Sequence, residues 1–384
     1  MKRILIVGSW GTTHVRRFLR ILCENKENLI IDSFDPTFDH SRVNECGVDN
    51  VYRLEASAFS QRIYKIRKIG TLLCERHTVN TFDHILSNNH YDLVNIHFLP
   101  ANTEQYVKVA HKHRVKIMLT PLGSDVLRVK KIFIPTLKRA FVEADYVSGN
   151  IVTGFCQQVK KMFSVPDNKI KNLGYGSETI SSIIEMKGKF SKQQMCEMLS
   201  IPFSPYYICC GYTASLAQHH DIMIDAIAKN KDLLPEGTRL IIPLSYGPAK
   251  EALKKSVAKQ CEQYGLPYTL LTEYMTVEQV ACLRFVSNLF IHIQPTDAYN
   301  ASLQEFLIAD TEVINGKWLP YPSLEEHGIP YHILSSIDDL PREIEKILSH
   351  EGLRPQLSKE AEDEIIGNAW NKKIKDWVDA YKTI

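Results

Sequence analysis

The feature that most constrains this chain is a run of short apolar segments alternating with helical patterns, and the whole series occurs twice. In the first half "RILIV", "LIIDSF", "LVNIHF", "KIMLTP" and "DYVSG" are each bounded by loop-forming residues. Between them lie stretches such as "RRFLRILCEN" and "EQYVKVAHKH", whose apolar residues recur every three or four positions. Short apolar runs suit strands buried on both faces, and three- or four-residue spacing suits amphipathic helices. After about residue 205 the series restarts with "YYICCGY", "RLIIPLSYG", "YTLLTE", "NLFIHI" and "TEVING". Such alternation predicts an α/β protein with parallel sheets covered by helices on both faces. Two rounds in 384 residues predict two doubly wound, Rossmann-like domains facing a cleft, each with its ligand edge at the carboxyl ends of its strands. The expected divisions are a first domain over 1–180, a linker over 181–204, a second domain over 205–365 and a final helix over 366–384 returning to the first.

Composition narrows the class. An apolar share of 44% and a charged share of 23% are those of a water-soluble globular chain. No apolar run reaches the roughly 18 residues that a membrane-spanning helix needs. The opening "MKRILIVGSWGTTHVRRF" has only four consecutive apolar residues before Gly8, so it reads as a buried first strand rather than a secretion signal. Nine cysteines without a CxxC spacing suggest reduced thiols in a cytoplasmic protein and argue against zinc. Residues 1–185 hold 26 Lys and Arg against 18 Asp and Glu, a net +8; because the whole chain carries +2, the remainder carries −6. A basic first half suits an anionic surface or substrate, or is simply a solvated face. A nucleic-acid partner is not expected.

Several candidate site residues fall at predicted strand ends. After the first strand, "GSWG" supplies Gly8, Ser9, Trp10 and Gly11 ahead of a helix start. There backbone N–H groups are free to meet a ligand, although a plain tight turn accounts for the same residues. His97 closes "LVNIHF", and Asp125 follows in "PLGSDVLR". Both are candidate catalytic groups, with a buried histidine and a helix cap as the alternative roles. In the second half Gly211, Thr213 and Ser215 form a small hydroxyl-bearing loop before His219 and His220 at a helix start. Tyr246 in "PLSYG", and Glu273, Tyr274 and Met275 in "TEYM", follow the next two strands. Taken together these strand ends describe a pocket for a nucleoside diphosphate.

The corner "QPTDAYNASLQEFLIADTEVING" is the most specific stretch. Asp297 and Glu305 stand with seven residues between them across a strand–loop–helix turn. This pattern resembles the two acids, also seven residues apart, of family 4 glycosyltransferases with the GT-B fold, with Asp in place of the first Glu. Along nearly the whole chain the order of elements is also similar to that family, "CEMLSIPFSPYYICCGY" standing where the family's second domain begins and "ADYVSGN" through "NLGYGSE" where its first domain ends. A weaker likeness, through "LSYG" and the loop-helix after "FIHIQ", is to the fucosaminyl-lipid transferases of enterobacterial common antigen.

The resemblance implies that Asp297 sits beside the donor sugar's hydroxyls and that Glu305 holds the ribose. It also implies that Ala301, Ser302 and Leu303 at the helix start face the diphosphate. The expected activity is transfer of a sugar from a nucleoside-diphosphate sugar, UDP-linked by preference, to a hydroxyl of a glycan or lipid-linked glycan, as in bacterial surface polysaccharide assembly. It is expected to need no metal or other cofactor and to proceed with retention. One departure stands out: the family's Arg and Lys for the diphosphate are replaced by His219 and His220, with Lys250 further on. A sugar-nucleotide epimerase and a non-enzymatic sugar-binding protein are the rival readings of the same two-domain pattern. Finally, "SQRIYKIRKIGTLLCERH" interleaves Arg62, Lys65, Arg67, Lys68 and Arg76 with Ile63, Ile66, Ile69, Leu72 and Leu73. "LRVKKIFIPTLKRAF" is a second stretch of this kind. Such helices either cover a core or rest on an anionic membrane face, which would make the protein peripheral at the inner membrane.

Overall fold

The computed structural model describes residues 1–38, 47–57, 60, 62, 64, 66, 69–150, 153–247 and 249–384. They form two compact units, Met1–Tyr175 with Trp370–Ile384, and Gly176–Ala369.

The first unit is built on a seven-stranded parallel sheet. Its strands are β1 (Lys2–Val7), β2 (Leu29–Asp35), β3 (Asn50–Arg53), β4 (Leu93–His97), β5 (Lys116–Thr120), β6 (Tyr146–Gly149) and β7 (Ile170–Asn172), in the spatial order β3-β2-β1-β4-β5-β6-β7. Ile4 of β1 lies level with Ile31 on one side and Leu93 on the other. Apolar side chains leave both faces of these strands. Leu5, Val7, Val94 and Ile96 pack with Phe82, Tyr106 and Phe141 on one face. Ile4, Ile6 and Met118 pack with Phe18, Trp370, Trp377 and Tyr381 on the other. The chain progresses outward from β1 in one direction and from β4 in the other, so the β1/β4 boundary is the switch point of this sheet.

The second unit repeats the plan with β8 (Tyr207–Cys210), β9 (Arg239–Pro243), β10 (Tyr268–Leu271), β11 (Leu289–His292), β12 (Glu312–Gly316) and β13 (His332–Leu334), ordered β10-β9-β8-β11-β12-β13. All its recorded pairings are parallel, and its switch point lies between β8 and β11.

Two segments differ from the expected layout. Residues 181–204 are no loose connector: helices Glu178–Met186 and Lys192–Met198 run through them, and Ile180, Ile183, Met195 and Cys196 belong to the second unit's core. The second of these helices opens with a reciprocal cap between Ser191 and Gln194. The terminal helical pattern is broken near Asn368 into Lys359–Gly367, which stays with the second unit, and Trp370–Thr383, which joins the first. Trp377 there meets Phe18 edge to face, ring centroids 4.9 Å apart, and donates its indole N–H to the Gly174 carbonyl at 3.0 Å, while Asn95 donates to the Tyr381 hydroxyl at 2.7 Å. The described cysteines are free thiols. Among the described residues no helix is long and apolar enough to cross a membrane.

Candidate functional site

Parallel strands all deliver their following loops to one edge, so in the second unit the loops after β8 and β11 meet at the switch point. Gln294 joins them: its side-chain oxygen accepts from the Tyr212 hydroxyl at 3.0 Å and from Gln218 Nε2 at 2.9 Å. The β8 loop is tightly coiled. Gly211 has φ +68°, and a Cβ there would stand 3.0 Å from both Gln218 Oε1 and His220 Nε2, so only glycine fits. The Thr213 hydroxyl donates to the Tyr246 carbonyl at 2.9 Å, fastening this loop to the one after β9. Ser215 accepts from Ala217 N–H and caps a short 3-10 turn, and His219 sits in the left-handed region at φ +58° just before the helix His220–Lys229.

His220, expected as a stand-in cation, is a buried ring with neither nitrogen partnered. Burial pulls its pKa down to about 4, so at neutral pH it carries no charge. Lys250 begins the helix that follows the β9 loop. Tyr246 and Tyr274 are 48% and 58% exposed beyond β9 and β10, presenting two aromatic rings to solvent. Glu273 accepts from the Thr272 hydroxyl at 3.3 Å, and Met275 packs against the core.

The β11 loop carries Asp297. One carboxylate oxygen accepts the Tyr321 hydroxyl and the other accepts the Ala298 N–H at 2.7 Å. The phenol of Tyr321 also accepts from Asn300 N–H at 3.3 Å, so a single buried side chain fixes two points of the loop. Beside the carboxylate, His292 Nε2 lies 3.6 Å away. Its tautomer follows from its neighbours. Asn300 turns its amide oxygen to Ser302 N–H at 2.6 Å as the helix cap, which aims its NH2 at His292 Nε2, 3.2 Å distant. Nε2 is therefore an acceptor, and Nδ1 donates to Asn315 Oδ1 at 2.8 Å. Burial holds the His292 pKa down, in keeping with this neutral ring. Burial and the Asp297 carboxylate together raise the Tyr321 pKa well above its ordinary value.

Two details differ from the expected arrangement. The cap on Ala301–Ile308 is Asn300, and it occupies the Ser302 N–H that was expected to face a diphosphate; Ala301 is exposed at the same helix start and Leu303 is buried in the core. Glu305, which the resemblance places at the ribose, is a buried acid with protein partners of its own. It is 5% exposed, receives two N–H bonds from Arg284 at 3.1 and 2.9 Å, and accepts the Ser177 hydroxyl at 2.7 Å.

In the first unit His97 ends β4 at the switch point, buried against Phe18 and Trp377. Nδ1 meets the Tyr175 hydroxyl at 2.5 Å, Nε2 has no partner, and burial depresses its pKa to about 3. Gly8 runs so close that a Cβ would lie 3.0 Å from Val15 and 3.3 Å from the His97 carbonyl. Ser9 is half-buried and Gly11 exposed, but Trp10 is a core residue whose indole donates to Ser33 Oγ at 2.9 Å. Asp125 accepts the backbone N–H groups of Leu99, Leu122 and Gly123 at 2.8, 3.1 and 2.8 Å, clipping the loops after β4 and β5 together. Burial raises its pKa against those bonds.

Arg284, Ser177, His292, Asn300 and Tyr321 are the residues that sequence reasoning did not pick out. Of these only Asn300, an Asx residue just before "ASLQEF", carried a local signal, that of a helix cap.

No protein-family model matches the chain, and no curated protein matches it. Solved structures do match over its whole length. A sucrose-phosphate synthase from Thermosynechococcus elongatus superposes with a TM-score of 0.71 at 14% identity, covering 100% of this chain and 99% of that one. A glycosyltransferase from Rickettsia africae gives 0.71 at 13%, covering 100% and 98%. HepE of Anabaena, solved in complex with UDP-glucose, gives 0.67 at 14%, covering both chains fully. The fold of this chain is GT-B, two Rossmann-like units each built on a parallel sheet.

Proposed function

We propose that the protein is a glycosyltransferase that uses a nucleoside-diphosphate sugar. One observation carries the reading: Asp297 is held at the switch point of the second unit with its carboxylate clamped by a buried phenol, in a fold whose structural neighbours include a protein solved with UDP and with UDP-glucose. An acid so placed accepts hydrogen bonds from sugar hydroxyls, and Tyr246 and Tyr274 on adjoining loops offer aromatic faces to a nucleobase. The loop Gly211–His219 and the exposed Ala301 end of its helix are the places for the diphosphate. A UDP-sugar is the preferred donor, and family 4 is the subfamily that the acid pair favours.

In this reading the first unit receives the acceptor, a hydroxyl on a glycan or a lipid-linked glycan of surface polysaccharide assembly. The bond from the anomeric carbon to the diphosphate oxygen breaks, a bond to the acceptor oxygen forms on the same face, and the acceptor's proton passes to the departing phosphate. Negative charge grows on that phosphate, so N–H and hydroxyl groups already aimed at it supply much of the rate. Docking on an anionic inner-membrane face completes the proposal. On the helix Ile69–Asn88 of the first unit, Ile69, Leu72 and Leu73 stand exposed, with Arg76 exposed beside them. Ile63, Lys65, Arg67 and Lys68 of the same basic stretch lie outside the described residues.

The test is a donor screen with the Asp297→Ala variant. UDP, UDP-glucose and other nucleoside-diphosphate sugars are expected to raise the wild-type melting temperature, since a ligand bound only by the folded state stabilises it. The variant should keep its fold while transfer falls by about two to three orders of magnitude, the loss of one charge-stabilising group. No thermal shift with any nucleoside diphosphate, or full turnover by Asp297→Ala, would overturn the proposal. Conversion of a sugar nucleotide without any acceptor would point to an epimerase.

A further inference from the structure

Glu305 does not stand as a hydroxyl-binding acid would. We infer that it is a buried positioning residue, which with Arg284 fixes the helix Ala301–Ile308 to the two segments where the chain enters and leaves the second unit. The inference rests on the proposed donor site only for its nucleotide readout.

Arg284 comes from the helix Val277–Val286 and is 4% exposed. Its Nε and Nη2 take one Glu305 oxygen, Nη2 also reaches Ser302 Oγ at 3.2 Å, and the guanidinium lies 4.2 Å over the Phe306 ring. The other Glu305 oxygen takes the Ser177 hydroxyl. Ser177 lies one residue into the second unit and forms a parallel bridge with Ala369, at the unit's exit; its N–H donates to the Asn368 carbonyl at 2.9 Å. A second link runs alongside. Asn368 Nδ2 donates to Gln304 Oε1 at 2.8 Å, and Gln304 Nε2 donates to the Asn300 carbonyl at 3.2 Å. Neighbouring residues on one helix, Gln304 and Glu305, thus hold the outgoing and incoming segments, which also pair with each other.

The chemistry excludes a free carboxylate here. In this buried ion pair two guanidinium N–H groups converge on one carboxylate oxygen, and removing either partner strands a charge in a low-dielectric site. Three N–H or O–H donors already occupy the carboxylate and the group is 5% exposed, so little acceptor surface is left for an arriving ribose. What the pair does instead is set the start of the helix. Arg284 holds Ser302, Asn300 caps Ser302, and Asn300 N–H meets the same Tyr321 phenol that clamps Asp297. The placement of Asp297 therefore depends on a pair of residues that need never touch a donor.

A mutant cycle tests this with Arg284→Met, Glu305→Gln and the double variant, reading melting temperature and UDP affinity at a temperature where each protein is folded. Glu305→Gln keeps an acceptor for Ser177, and Arg284→Met keeps an apolar stem over Phe306. Each single variant should melt about 10 °C lower, because half of a buried pair is left uncompensated. Arg284→Met should also weaken UDP at least about tenfold, as the helix start shifts around the unpaired carboxylate. The double variant should recover to within about 3 °C and about threefold of the wild type, since neutral packing replaces a buried pair at little loss. A stable double variant that still binds UDP tenfold or more weakly would make Glu305 a hydroxyl ligand and overturn the inference. Wild-type UDP affinity in both folded single variants would reduce the pair to a purely structural role, and an unfolded double variant would also overturn it. If the wild type binds no UDP, the donor reading fails, and the melting temperatures alone decide whether the buried pair exists.

Discussion

His97 predicts a measurable pH dependence for the first unit. Its ring is held neutral inside an aromatic enclosure of Phe18, Tyr175 and Trp377, with Nε2 unpartnered and its pKa at about 3. In the unfolded chain the same ring titrates near 6.5. Because the folded pKa is depressed, the unfolded state binds the extra proton between those values. The stability contributed by the neutral ring is complete above about pH 6.5 and is lost as pH falls towards 3. At pH 5, about 1.5 units below the unfolded pKa, the loss is about 2 kcal/mol. The assay is urea unfolding followed by tryptophan fluorescence at pH 7, 6 and 5, because Trp370 and Trp377 report on this unit. The His97→Gln variant has no proton to take up there. Its unfolding free energy should fall about 2 kcal/mol less than the wild type's between pH 7 and pH 5, while every other titration is common to both proteins. Parallel falls in the two proteins would refute burial as the state of His97.

Two further outcomes are expected. Asn300→Ala removes the cap on Ala301–Ile308 and should lower stability by about 1 kcal/mol, roughly 3 °C in melting temperature, whereas Asn300→Asp keeps the cap and most of the stability. In liposome co-sedimentation at low salt the protein should bind anionic vesicles and leave neutral ones, and Leu72→Glu with Arg76→Glu should abolish binding; equal binding to both vesicle types would end the electrostatic docking proposal.

The central strands were legible because a strand buried on both faces is a bare apolar run, as "RILIV" and "NLFIHI" are. The strands that escaped notice, "NVYR", "IKN" and "HIL", are short, and β3 and β7 at the first sheet's edges and β13 at the second's need no continuous apolar run. The helices of 181–204 carry a local signal of their own, since Ser191 with Gln194 three residues on is a capping box. In the candidate site Asp297 stood out through its spacing. Tyr321, His292 and Arg284 did not, because their roles depend on partners 24, 23 and 21 residues away. Glu305 stood out for its spacing but not for its surroundings: no pattern in "SLQEFLIA" announces that an arginine from the preceding helix occupies its carboxylate.

The segment Trp370–Ile384 belongs to the first unit although all of the second unit precedes it in the chain. During synthesis the first 175 residues therefore leave the ribosome without Trp370, Trp377 and Tyr381, and the nascent β1–β4 face keeps an open apolar surface until 194 more residues have been made. The second unit has all of its own parts by Ala369 and can close while its predecessor still waits. The second unit can thus complete its core before the first, and a nascent chain stalled within the second unit leaves Phe18 and His97 without their Trp377 cover, open to whatever chaperone surveys apolar surface.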